Sequence, residues 1–226
     1  MFGANPIRKQ EPRSDGMLWV QEVFRTIQGE GPLAGRPAVF IRLAGCNLAC
    51  KFCDTEFESG EMVHEDAVET EAGRLAHGWK RPLYVLTGGE PFRQDIRYLV
   101  RRLLQTGDVQ IETAGTLWLE GFPVEAQIVV SPKTGKLNSD IRMRATAWKY
   151  ILRAGEIDPD DGLPSVMPTG LAGRVARPCL DSEVYVQPCD DHLLMNNKAN
   201  LEAAKQSALK FGYRLSLQQH KILELP

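Results

Sequence analysis

The sequence predicts an α/β fold built on a largely parallel sheet with crossover helices. Two observations point there. Short apolar runs alternate with stretches of helical periodicity, the order expected of strand–helix–strand units. Motifs rich in glycine and polar residues recur at the C-terminal end of one strand after another: the Cys46–Cys53 loop, TGGEP, ETAGT, SPK and QPCD. In a barrel of parallel strands those ends form a single mouth, where active sites are built. At 226 residues, 43% apolar and 25% charged, the chain suits one domain with a sizeable core.

Taken in order, residues 1–16 are rich in Pro, Arg, Lys and Asp and read as a flexible N-terminal arm, leaving 17–226 as a single domain. Leu18–Ile27 alternates as a strand, with Leu18, Val20, Glu22, Phe24 and Thr26 on one side and Trp19, Val23 and Ile27 on the other. It ends in the turn Gln28-Gly29-Glu30-Gly31-Pro32. Ala38–Leu43 is a short strand whose end delivers Gly45 and Cys46. Val68, Ala72, Leu75, Ala76 and Trp79 mark a helix within Glu65–Trp79. A strand at Leu83–Leu86 runs into Thr87-Gly88-Gly89-Glu90-Pro91, and Ile96, Leu99, Val100, Leu103 and Leu104 mark the next helix. Strands are expected at Gln110–Thr113, Ala126–Val130, Ala147–Leu152 and Glu183–Val186, with a loop over 155–178. A helix with Leu201, Ala204, Ala208 and Leu209 on one face precedes a last strand, Tyr213–Leu217, and a tail.

Composition narrows the function. A formal charge of −2 carries no basic footprint, which argues against a nucleic-acid partner. The N-terminal residues have no apolar run of the signal-peptide kind, no segment is long enough to span a bilayer, and the expected compartment is the cytoplasm. Five cysteines, three of them clustered, form a metal pattern and no disulfide framework.

That cluster is Cys46, Cys50 and Cys53, spaced C-x3-C-x2-C. Three thiolates on one loop can hold three corners of a cubane iron–sulfur cluster and leave the fourth iron open to a small molecule. Structural zinc is the alternative, with Cys179, Cys189 or His64 as a distant fourth ligand. Gly88 and Gly89 lack side chains, so their backbone can approach a ligand closely, although a plain turn uses such residues equally well. Arg42, taken alone, reads as an ordinary ion-pair partner.

Together the cysteine spacing, the aromatic Phe52 before the last cysteine and the following GGEP resemble the radical S-adenosylmethionine (SAM) enzymes. The resemblance narrows further with Ile27-Gln28-Gly29-Glu30-Gly31, Arg42, Cys53-Asp54-Thr55, TGGEP, ETAGT, SPK, QP and the His220–Pro226 tail. In that order these are similar to the 7-carboxy-7-deazaguanine synthase family, from about Gln21 to the last residue. Ala114 stands where the family often has Asn, so any role for that amide is absent here.

The resemblance implies a partial TIM-like barrel of about six parallel strands with reduced helices, usually a homodimer. It implies a lyase that contracts 6-carboxy-5,6,7,8-tetrahydropterin to 7-carboxy-7-deazaguanine with loss of ammonia, in queuosine and other 7-deazapurine biosynthesis. Carried over by position, Cys46, Cys50 and Cys53 bind a [4Fe-4S] cluster and Thr55 binds Mg²⁺. Phe52, Gly89, Ser131, Pro132, Lys133, Gln187, Pro188, Cys189 and Asp190 contact SAM, with Gly88 and Glu90 shaping that pocket. Ile27, Gln28, Gly29, Glu30, Arg42, Thr87, His220 and Pro226 surround the pterin. The implied electron donor is of flavodoxin or ferredoxin type. A glycyl-radical-enzyme activating protein is the nearest rival, against which QGEG, Arg42 and the tail speak.

Overall fold

The computed structural model describes residues 5–51, 53 and 57–226. The strands are β1 (Met17–Ile27), β2 (Pro37–Leu43), β3 (Glu61–His64), β4 (Leu83–Gly88), β5 (Asp108–Thr113), β6 (Gln127–Val130), β7 (Ala147–Leu152), β8 (Val184–Pro188) and β9 (Arg214–Leu215). They form one nine-stranded sheet in the order β3-β1-β2-β4-β5-β6-β7-β8-β9. β1 is antiparallel to both its neighbours, and every pairing from β2 to β9 is parallel. The two edges, β3 and β9, do not pair, so the barrel stays open. β2 and β4 to β8 match the expected parallel strands, about six; the short β9 adds a seventh, and the antiparallel β1 and β3 add to them.

Helices α1 (Glu65–Leu75), α2 (Arg97–Leu104), α3 (Ser139–Arg144), α4 (Leu194–Phe211) and α5 (Gln219–Ile222) complete the chain. α1 starts where the His64 ring accepts from the Asp66 amide and carries Glu65 and Asp66 in its first turn, the charge its N-terminal dipole favours. α2 buries Leu99, Val100 and Leu103 against the sheet, about 1.5–3 kcal/mol for each side chain removed from water. This outer layer packs on Ile41, Leu86, Ile111, Val130, Trp148 and Val186, the alternate residues on one face of the sheet. The inner face is apolar at Ala38, Leu83 and Val85, at the N-terminal ends of β2 and β4, and polar towards the mouth.

Three expectations need correction. In β1 a bulge between Val20 and Glu22 swaps the two sides of the strand. Leu18 and Val20 therefore face the helices before it and Val23 does so after it, which turns Phe24 and Thr26 towards the mouth. In α4 the buried stripe is Asn200, Ala204, Ser207 and Ala208, and Leu209 is 85% exposed. Polar anchors set that face: Asn200 donates to Cys189 O (2.9 Å) and accepts from Ala154 N (2.8 Å), and Ser207 donates to Gly162 O (2.7 Å). The last strand shortens to Arg214–Leu215 because Ser216 turns inward, its hydroxyl accepting from Gly31 N (3.0 Å). The loop between β7 and β8 lacks regular helices and strands, as expected, and is pinned by Arg174 to Asp158 and by Arg177 to Asp161.

Candidate active site

β2 ends at the mouth, and the chain bends there into the cysteine loop. Hydrogen bonds hold the loop from several sides: Gly45 N to Phe57 O (2.9 Å), Glu90 N to Gly45 O (3.0 Å), Lys51 N to Pro168 O (3.0 Å) and Asn47 Nδ2 to Thr116 Oγ1 (2.9 Å). The N-terminal arm runs beside it. Arg8 N donates to Cys46 O (2.7 Å), Ile7 bridges Cys46, and Asn5 Nδ2 lies 3.9 Å from Cys53 Sγ.

The GGEP segment locks the same loop. A Cβ at Gly88 would sit 2.1 Å from Leu43 O, and one at Gly89 would sit 2.0 Å from Gly45 O. Gly88 also has φ +118°, a conformation that favours glycine. The close approach these glycines permit is first to β2 and the cysteine loop, and only beyond that to the cavity. Glu90 is fully buried and braces the turn, accepting from Thr113 Oγ1 (2.7 Å), Ala114 N (2.9 Å) and Phe92 N (3.2 Å).

Cys46, Cys50 and Cys53 line one cavity of about 250 Å³ together with Gly88, Gly89, Ser131, Lys133, Gln187, Pro188, Cys189 and Asp190. Pro132 lines an adjoining cavity of about 300 Å³ that shares Lys133, Ile151 and Cys189 with the first. Glu90 lies behind the wall, and Phe52 and Thr55 fall outside the described residues. Ile27, Gln28, Glu30, Arg42, Thr87, His220 and Pro226 line a third cavity, of about 150 Å³. Gly29 sits against it: Gly29 O accepts from Gln219 N (3.1 Å), and a Cβ there would lie 2.3 Å from His220 Nδ1. Arg42 pairs with Glu22 across the β1–β2 ladder and stacks 5.1 Å from the Phe24 ring. The first and third cavities share Glu30, Thr87, Gly88, Glu112 and Gln218, so the two groups of residues meet across one wall.

Inspection of the sequence missed the polar network in that wall. Lys149 Nζ contacts Glu30 Oε2 and lies 2.9 Å from Glu112 Oε2. Gln187 and Gln218 each donate to Glu30 Oε1 at 3.0 Å; Gln28 (2.9 Å) and Gln110 (3.1 Å) donate to Glu112 Oε1. Burial opposes the charge on Glu30, but Lys149 and the bonds from Lys149 and Gln218 outweigh it and hold the carboxyl at about 2. Burial likewise works against the Lys149 ammonium, and Glu112 and Glu30 overcome it, so its pKa rises. The available signal was one charge inside the apolar run AWKYIL.

The cavity suits an iron–sulfur cluster by its donor set. Three soft thiols face it, and the half-buried Lys133 lies beside them; burial raises Cys50, and the Lys133 charge offsets part of that. Among the described residues no three His, Cys, Asp or Glu side chains converge on a single metal ion.

An open, mostly parallel α/β sheet with a three-cysteine loop after its first parallel strand is the arrangement of a radical SAM enzyme. No family model matches the chain. It is 46% identical over 241 aligned positions to the 7-carboxy-7-deazaguanine synthase of Rhodospirillum rubrum, covering 100% of both chains. It is 41% identical to that of Rickettsia prowazekii, covering 99% of this chain and 95% of the other. The crystal structure of QueE from Escherichia coli matches its fold with a TM-score of 0.66 at 23% identity, over 89% of this chain and 94% of that one. The chain belongs to the 7-carboxy-7-deazaguanine synthase family, whose members are radical SAM lyases.

Proposed function

We infer that this protein is a 7-carboxy-7-deazaguanine synthase, contracting 6-carboxy-5,6,7,8-tetrahydropterin to 7-carboxy-7-deazaguanine and ammonia on the route to queuosine and other 7-deazapurines. The observation that carries the reading is the 46% identity to the R. rubrum enzyme across the whole of both chains. It also disfavours the glycyl-radical activating alternative.

When bound, the [4Fe-4S] cluster and SAM supply a 5′-deoxyadenosyl radical that takes a hydrogen from the substrate. Cys46, Cys50 and Cys53 hold the cluster, and the adjoining cavities offer SAM the backbone and side chains of Gly89, Ser131–Lys133 and Gln187–Asp190; family position alone assigns Phe52 to SAM as well. Gly88, in the wall, and Glu90, behind it, shape that pocket. In the third cavity Arg42 exchanges Glu22 for the substrate carboxylate, which its planar fork binds bidentately. Glu30 accepts hydrogen bonds from the donor edge of the pyrimidine ring, and Ile27, Gln28, Gly29, Thr87, His220 and Pro226 enclose the rest. The wall shared by the cavities supports this reading, because it brings the two ligands side by side.

The reading includes Mg²⁺ at Thr55, a flavodoxin- or ferredoxin-type electron donor, a homodimer and a cytoplasmic location. Among the described residues no helix is long and apolar enough to cross a membrane. The test is an anaerobic assay of reconstituted, reduced protein with SAM and 6-carboxytetrahydropterin, with and without Mg²⁺, product identified by mass and ultraviolet absorbance. Product formed without stoichiometric loss of SAM is the expected result. Slow 5′-deoxyadenosine release with no product would overturn the substrate.

A further inference from the structure

Lys149 is placed by strand parity. Trp148, Tyr150 and Leu152 of β7 pack into the helix-side core, and Lys149 points the other way, into the cysteine cavity, with its side chain 5% exposed. A buried ammonium persists only where partners repay its lost hydration. Here they are two carboxylates from distant segments: Glu30, in the turn after β1, and Glu112, in β5. Both carboxylates also line the third cavity, and Lys149 does not. The cation therefore stands behind the two acids as seen from that cavity.

An ionised carboxylate offers about four acceptor sites. On Glu30, Lys149, Gln187 and Gln218 take three of them; on Glu112, Lys149, Gln28 and Gln110 take three. Among the described residues each acid thus keeps one acceptor for a ligand. Within the substrate reading above, on which this inference rests, the group that fits is the adjacent ring N–H and amino donors of an aminopyrimidinone.

We propose that Lys149 is a specificity-determining positioning residue: by holding Glu30 and Glu112 together as two acceptors, it selects a ligand edge made of donors over one that presents a carbonyl. Without the ammonium, two buried carboxylates face each other unscreened and one takes up a proton. A protonated acid offers a donor where the ligand also offers one, and it tolerates a carbonyl there.

The experiment is anaerobic calorimetry on reconstituted protein with two stable ligands, 6-carboxypterin and 6-carboxylumazine, which differ in carrying an amino group or a carbonyl at ring position 2. The unaltered protein is expected to prefer the pterin strongly, because a site built to bond a donor rejects an analogue that lacks it. In Lys149→Met that preference is expected to fall by about tenfold or more, with visible absorbance and SAM affinity retained. Lys149→Met/Glu112→Gln, which removes one buried negative charge together with the cation, serves if the single variant does not fold, and it should show the same loss. A folded variant that keeps the parent's ratio of affinities overturns the proposal and leaves the substrate reading standing. Failure of the unaltered protein to bind 6-carboxypterin overturns the substrate reading, and the proposal with it.

Discussion

Replacing Gly89 by Ala should displace the cysteine loop. The added Cβ would lie 2.0 Å from Gly45 O, 2.4 Å from Gly45 C and 3.0 Å from Cys46 N, all backbone atoms that no rotamer change can move aside. Relief requires the two segments to separate by about 1 Å, as overpacked positions do. That stretches the 3.0 Å bond from Glu90 N to Gly45 O beyond hydrogen-bonding range. Overpacking costs about 1–3 kcal/mol and the lost buried bond about 1–3 kcal/mol. In a chain of this length that corresponds to a fall in melting temperature of roughly 5–20 °C. The same movement carries Cys46 away from the other two thiols, so iron and sulfide per reconstituted chain should fall together with stability. Gly73→Ala is the control: it lies in α1 with nothing within 4 Å of its added Cβ. That change should stabilise the chain by about 0.5–1 kcal/mol. If Gly89→Ala matched the parent in melting temperature and iron content, the argument that GGEP locks the cysteine loop would be wrong.

Arg42→Ala should weaken pterin binding by about 10- to 100-fold, the worth of a charge-assisted pair, with SAM cleavage retained; an unchanged KM would remove Arg42 from the carboxylate site. Glu30 is held at about 2 against an ordinary 4.5, so its ionised form contributes stability that is complete above about pH 4.5 and is lost as pH falls through about 2. The cluster-free Glu30→Gln protein should therefore melt lower than its parent at neutral pH and lose less stability on acidification across that window, as scanning calorimetry reads. Deleting residues 1–11 removes the Arg8 N bond to Cys46 O, the Asn5 contact with Cys53 and the Glu11 pairing with Arg93. Visible iron–sulfur absorbance should then bleach several-fold faster in air, and an unchanged rate would make the arm irrelevant to the cluster.

The parts of the fold legible in the sequence are those where one physical rule acts alone. β4 to β8 are short strands with a glycine or proline at their end or within three residues after it, and the structure has each of them within two residues of its expected start. α2 is amphipathic with a purely apolar stripe, and it too forms where periodicity puts it. Where two rules compete, the pattern misleads. The stripe of α4 includes Asn200 and Ser207, which are buried because each meets a backbone partner, and a hydrophobic count discards them in favour of Leu209. β1 alternates on either side of its bulge, and a single extra residue reverses which side is inside.

The site divides in the same way. Residues on loops at the mouth announce themselves through unusual composition, so the cysteines, TGGEP, SPK and QPCD stand out and come together around adjoining cavities. Residues that reach the site from within strands do not. Lys149 is an anomaly in AWKYIL, but what makes it tolerable lies 119 and 37 residues earlier in the chain. Only the parallel order β5-β6-β7, together with the turn after β1 folding over the mouth, brings those carboxylates to it. A charge buried in a strand carries its explanation in the topology, and an account of specificity drawn from loop motifs alone leaves out the cation that keeps Glu30 an acceptor.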